Sequence, residues 1–134
     1  MTTPWLCRYL LWIDGLAAAC AGVLMLALGE RLSGWYQLPQ SLLLLIGLVN
    51  LGYATYSLSL AMRAKRPRPL IVLLVLGNSL WAAACLRWAL VFAPTASPWG
   101  LAHLLGESAF VGGLALLEWR WRARLATPVE PVHA

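Results

Sequence analysis

The chain reads as an all-α integral membrane four-helix bundle, antiparallel and running up-down-up-down, and three observations predict it. Of its 134 residues 61% are hydrophobic and 11% charged, with a mean hydropathy of +0.74, which is too apolar for an ordinary soluble domain. Apolar segments at about 5–29, 38–62, 69–92 and 98–119 each reach the roughly 20 residues that cross about 30 Å of hydrocarbon. Eight of the ten Lys and Arg residues are Arg8, the group Arg63, Lys65, Arg66 and Arg68, and the group Arg120, Arg122 and Arg124. Four spans place all eight on one side of the membrane. By the positive-inside rule that side is the cytoplasm, so both termini are expected there, in a bacterial inner (plasma) membrane crossed several times.

The net charge of +5 therefore reports topology rather than affinity for nucleic acid. Residues 1–134 form a single transmembrane domain, ending in a flexible cytoplasmic tail at 123–134. The connections are too short to hold a soluble catalytic domain, so any chemistry belongs between helices. Cys7, Cys20 and Cys85 all fall within helices without a C-x-x-C spacing and read as small packing residues rather than a disulfide. Ala17–Cys20 resembles a lipoprotein cleavage box, but Asp14 interrupts the apolar run and the same tetrapeptide recurs at 82–85, so the first segment reads as a span.

The first helix begins near Pro4, with Trp5 as an interfacial anchor. Arg8, Gly15, Gly22 and Gly29 recur every seven residues and make a glycine groove for a neighbouring helix. Asp14 lies on another line with Cys7, Ala18, Ala21 and Met25, roughly 13 Å in from the cytoplasmic end. A turn through Ser33, Gly34, Trp35 and Tyr36 follows, and Pro39 opens the second helix.

That second helix presents Leu42–Ile46 to lipid, while Gly47, Asn50, Ala54, Ser57 and Ala61 share a packing face flanked by Tyr53. Pro67 and Pro69 in RAKRPRP end it. The third helix carries Asn78, Trp81 and Cys85 on one side and Arg87 on nearly the opposite side. LWIDGLAAAC in the first helix and LGNSLWAAAC in the third form a faint repeat, read as chance likeness between small-residue helices, or else as two related hairpins.

The fourth helix carries the most charge. His103, Glu107, Phe110, Leu114 and Glu118 make one stripe, and Ala102, Gly106, Ala109 and Gly113 make a ridge of small residues suited to another helix. An acid at mid-helix costs about 2.5–3.5 kcal/mol on insertion scales, against about 0.3–0.6 returned by each Leu, Phe or Val. Glu107 thus needs a partner or a proton. Arg87 lies at a similar depth on the preceding helix and is the expected partner. Trp35, Trp88 and Trp99 read as the external aromatic belt, with Trp5, Trp119 and Trp121 as the internal one.

Asp14, Asn50, Asn78, Arg87, His103 and Glu107 are the candidate lining of a polar cavity for a proton, a cation or a polar headgroup. The competing reading has them cross-linking helices by hydrogen bonds worth about 0.6–2 kcal/mol each. His103 lacks a second ligand at metal spacing and His133 lies on the tail, so no metal or cofactor is expected. No catalytic triad, phosphate loop or carboxylate pair is legible, and the chain is not expected to be an enzyme.

Asp14 in the first helix, Pro39 opening the second, Asn78-Ser79-Leu80-Trp81 in the third and Glu118 closing the fourth resemble a group of short bacterial four-helix membrane proteins, a resemblance that implies fold and compartment. Asp14 also resembles the acid in the first helix of small multidrug-resistance transporters, whose third-helix aromatic and glycine pattern is not present here. Two function classes follow. The first is a non-enzymatic structural or accessory membrane protein, with lipids, a second copy or a larger membrane complex as partners. The second is a proton-coupled carrier of small cations or lipophilic molecules. A wet cavity at Asp14 and Glu107 favours the second, a dry helix contact the first.

Overall fold

The structure, a computed structural model, describes residues 4–126, with side chains described from Tyr9 onward. Trp5, Cys7, Arg8 and His133 therefore lie outside the described residues or side chains. Helix α1 spans Pro4–Tyr36, α2 Gln40–Met62, α3 Arg68–Phe92, α4 Pro98–Arg120 and α5 Arg122–Leu125. The first four are long and apolar enough to cross a membrane.

Helix α1 continues seven residues past its expected end because nothing between Gly29 and Tyr36 breaks it. It stops at Gln37, whose φ of 52° is left-handed, the conformation that commonly terminates helices. This corrects the turn expected at 33–36. Tyr36 is buried, its carbonyl accepts from the Ser97 amide at 2.9 Å, and Ser97 Oγ donates to the Trp35 carbonyl at 2.8 Å and accepts from the Gly100 amide at 3.2 Å. Ser97 thus caps α4 and ties it to the end of α1. A Cβ added at Gly100 would lie 2.5 Å from the Tyr36 carbonyl oxygen, so the close approach requires glycine.

The heptad glycines of α1 pack as expected. Leu58, Leu51 and Leu44, themselves seven apart on α2, face Gly15, Gly22 and Gly29 in turn, and Gly47 of α2 meets Met25 and Leu26. Helices α1 and α2 pair along their length, as do α3 and α4. The α1–α2 pair and the α3–α4 pair meet more sparingly, chiefly α1 against α4.

Two apolar cores close the ends of the molecule. One gathers Met25, Tyr36, Leu43, Ile46, Ala89 and Leu104. The other gathers Leu10, Leu11, Leu60, Ile71, Leu74, Leu114 and Leu125 at the basic end. Leu125 belongs to α5, so the start of the segment expected as a flexible tail is packed down. Leu42, Leu43 and Ile46 are buried and only Leu44 and Leu45 are exposed, which corrects the lipid-facing assignment of Leu42–Ile46. Five consecutive residues circle a helix completely, and α1 takes one side of it.

The ridge on α4 is a second correction. Ala102, Gly106 and Ala109 are exposed, and a Cβ at Gly106 or Gly113 would meet nothing within 4 Å. Among the described residues no helix backbone packs against that ridge, because α3 and α1 take the other faces of α4.

Candidate functional site

Between the two cores runs a band of polar side chains. On α1 Asp14 falls between Leu11 and Met25, on α2 Asn50 between Ile46 and Leu60, on α3 Asn78 between Leu74 and Ala89, and on α4 Glu107 between Leu104 and Leu114. The buried faces of α1, α2 and α3 are thus apolar at both ends and polar in the middle, whereas α4 adds a second buried acid, Glu118, beyond Leu114. A cavity of about 810 Å³ opens at this level, bordered by all four long helices. Asp14, Asn50, Asn78, His103 and Glu107 line it, together with Tyr53, Trp81, Phe110 and small residues including Ala17, Ala18, Ala21, Gly77 and Gly106.

Arg87 is the exception among the candidates. It is exposed, does not line the cavity and is not a partner of Glu107. The expected Arg87–Glu107 pair is therefore replaced. Glu107 Oε1 accepts from Asn50 Nδ2 at 2.9 Å and Trp81 Nε1 at 2.8 Å, and Oε2 lies 3.0 Å from His103 Nε2. The other ring nitrogen of His103, Nδ1, lies 3.3 Å from the Tyr36 hydroxyl. The physical reason is orientation: Arg87 projects away from the face that carries Asn78, Trp81 and Cys85, whereas His103 stands one turn from Glu107 on the same helix.

A second cluster forms around Asp14, which is 2% exposed. Its Oδ2 accepts from the Tyr53 hydroxyl at 2.5 Å, Ser57 Oγ at 3.3 Å and Asn78 Nδ2 at 3.5 Å. Asn78 Nδ2 also donates to Glu118 Oε2 at 2.9 Å. One amide nitrogen, Asn78 Nδ2, thus joins the Asp14 and Glu118 carboxyls. These residues come from all four long helices, so the cluster exists only when both hairpins are assembled.

Sequence reasoning had placed Glu118 on the correct stripe but not in the site. The signal was available in its spacing, since position 118 returns to the line of Glu107 after eleven residues. What the sequence did not show is the partner, since Asp14 lies 104 positions away. The sequence puts Ser57 on the packing face of the second helix with Tyr53 at its flank, Trp81 on the Asn78 side of the third and Tyr36 in the external turn, and the structure makes each a hydrogen-bonding partner of one of the two clusters.

Chemically the site pairs carboxyls with apolar and aromatic walls. Lys and Arg are not among the lining residues described, so the polar lining is acceptor-rich. Among the described residues no group of three or more His, Cys, Asp or Glu side chains is placed to hold a metal ion. No family model, curated protein or solved structure matches this chain.

Proposed function

We propose that this chain is a proton-coupled carrier that binds a lipophilic cation between its two hairpins. The cavity of about 810 Å³ carries the proposal: Asp14 and Glu107 face it, aromatic and small apolar residues form its walls, and Lys and Arg are not in the described lining. Such a space suits a bulky apolar body bearing a positive charge, because the walls offer area and the acids offer the counter-charge. In this reading the four long helices run antiparallel, up-down-up-down, through a bacterial inner membrane, with both termini in the cytoplasm. The pairing of Gly15, Gly22 and Gly29 with Leu58, Leu51 and Leu44 supports opposed directions for α1 and α2.

A second reading keeps the chain as a non-enzymatic accessory protein. It is favoured by one observation: Glu107, Asn50, Asn78 and Asp14 already bond to side chains of other helices, as residues that merely cross-link a bundle would.

Binding of tetraphenylphosphonium to the purified chain in detergent, followed by calorimetry and by quenching of tryptophan fluorescence, separates the two. Saturable binding weakened at least about tenfold, or about 1.4 kcal/mol, by Glu107→Gln or Asp14→Asn is the expected result. Absence of saturable binding to the wild-type chain would return the protein to the accessory class.

A further inference from the structure

Behind the cavity lies a group whose hydrogen bonding does not close with the hydrogens that ionised side chains supply. Glu118 is 0% exposed and its Oε2 is satisfied by Asn78, but its Oε1 is buried with no hydrogen-bond donor among the described residues. Asn78 Nδ2 also reaches Asp14 Oδ2 at 3.5 Å, so the two carboxyls meet at one donor. Two ionised carboxylates are acceptors only, so a hydrogen bond between them exists only if one of them carries a proton. The remaining neighbours are the Tyr53 and Ser57 hydroxyls from α2 and the Asn78 amide from α3, and the first two already point at Asp14. Neither carboxyl has a Lys, Arg or His partner among the described residues. Leaving both ionised side by side would put two uncompensated charges in a buried site, which costs several kcal/mol per ion.

We propose that Asp14 and Glu118 share one proton, held in place by Asn78, and that this proton, rather than any on Glu107, is released when a cation occupies the cavity. The inference rests on the cation-binding reading above and adds to it the site of exchange. Asp14 lines the cavity and Glu118 stands behind it, so a cation against Asp14 faces the shared proton directly. The step balances without redox chemistry. The carboxyl O–H bond breaks, the proton leaves to solvent, and the negative charge left on the pair is matched by the incoming cation. Glu107 differs because the Asn50 and Trp81 N–H groups donate to its Oε1 and His103 Nε2 stands 3.0 Å from its Oε2. It supplies standing counter-charge.

The chemistry predicts an unusual variant. In Glu118→Gln the amide oxygen can still accept from Asn78 while the amide N–H donates to Asp14, so the variant imitates the protonated pair with a hydrogen that does not leave. It should fold with nearly wild-type thermal stability, whereas Glu118→Ala, which leaves Asn78 and Asp14 unpaired, should not.

Two measurements test the proposal on the full chain in detergent. The infrared spectrum of the wild type should contain a protonated-carboxyl C=O band that is lost or shifted in both Glu118→Gln and Asp14→Asn. Calorimetry with tetraphenylphosphonium in buffers of different ionisation enthalpy should show one proton released per cation by the wild type and by Glu107→Gln, but none by Glu118→Gln. A carboxyl band insensitive to both variants would overturn the shared proton, and undiminished release in Glu118→Gln would overturn its role in exchange. If the wild type fails to bind the probe, the cation-binding reading and the exchange step fall together, and the infrared band alone then decides whether the pair holds a proton.

Discussion

Glu107 illustrates how a costly residue is accommodated. With about 2.5–3.5 kcal/mol at stake for an acid at the centre of a span, the bundle surrounds it with Asn50, Trp81 and His103 from three helices rather than with the long-armed Arg87. A double-mutant cycle of Arg87→Leu with Glu107→Gln, read as thermal stability in one detergent, should therefore be additive within about 0.5 kcal/mol. The cycle of Trp81→Phe with Glu107→Gln should show coupling of about 0.6–1.7 kcal/mol, because the indole N–H and the carboxylate oxygen are direct partners. Strong coupling at Arg87 together with none at Trp81 would reverse the assignment of partners.

At the scale of elements, the two glycine patterns behave differently although they look alike on paper. Gly22 of α1 is in contact with α2: a Cβ there would fall 2.7 Å from Leu51 Cγ and 3.0 Å from the Gly47 carbonyl oxygen. Gly113 of α4 meets nothing within 4 Å. Gly22→Leu should destabilise the chain by about 1–3 kcal/mol or more, the usual range for overpacking, and lower its melting temperature in detergent. Gly113→Leu should leave the melting temperature unchanged within experimental error, and a large loss there would mean that a second copy covers the ridge. The junction of α1 with α4 makes a separate prediction. Ser97→Ala removes both the cap on Gly100 and the bond to the Trp35 carbonyl, and should cost about 0.5–2 kcal/mol in the same melting assay.

For the molecule as a whole, the cavity owes its existence to the arrangement of hairpins. Each hairpin is closely paired, by glycine against leucine in α1–α2 and by contacts such as Ser108 Oγ to the Ala82 carbonyl at 2.8 Å in α3–α4. The two helix pairs are joined by the two apolar cores and, between these, by the bonds from Asn50 to Glu107 and from Asn78 to Asp14, beside which the cavity opens. The proposed orientation is tested with reporter fusions in a bacterial host. A fusion at the C-terminus should report the cytoplasm and one at Ala96 the periplasm, and a periplasmic C-terminus would refute the topology.

The sequence by itself determined the number and approximate positions of the four apolar helices, the heptad groove of α1 and the packing face of α2, and five of its six candidate residues line the cavity. These are properties of single helices: length against bilayer thickness, and angular position at 100° per residue, both of which follow from covalent geometry. Which residues face one another across the bundle was decided by tertiary structure alone. The sequence placed Arg87 and Glu107 within about one helical turn in depth, but depth leaves rotation free, and the rotation of α3 turns Arg87 outward. It placed Asp14 and Glu118 on separate helices without relating them, because a contact across 104 positions depends on the relative placement of two hairpins. The ridge on α4 had the pattern of an interface, yet a pattern of small residues permits close approach without supplying the helix that approaches.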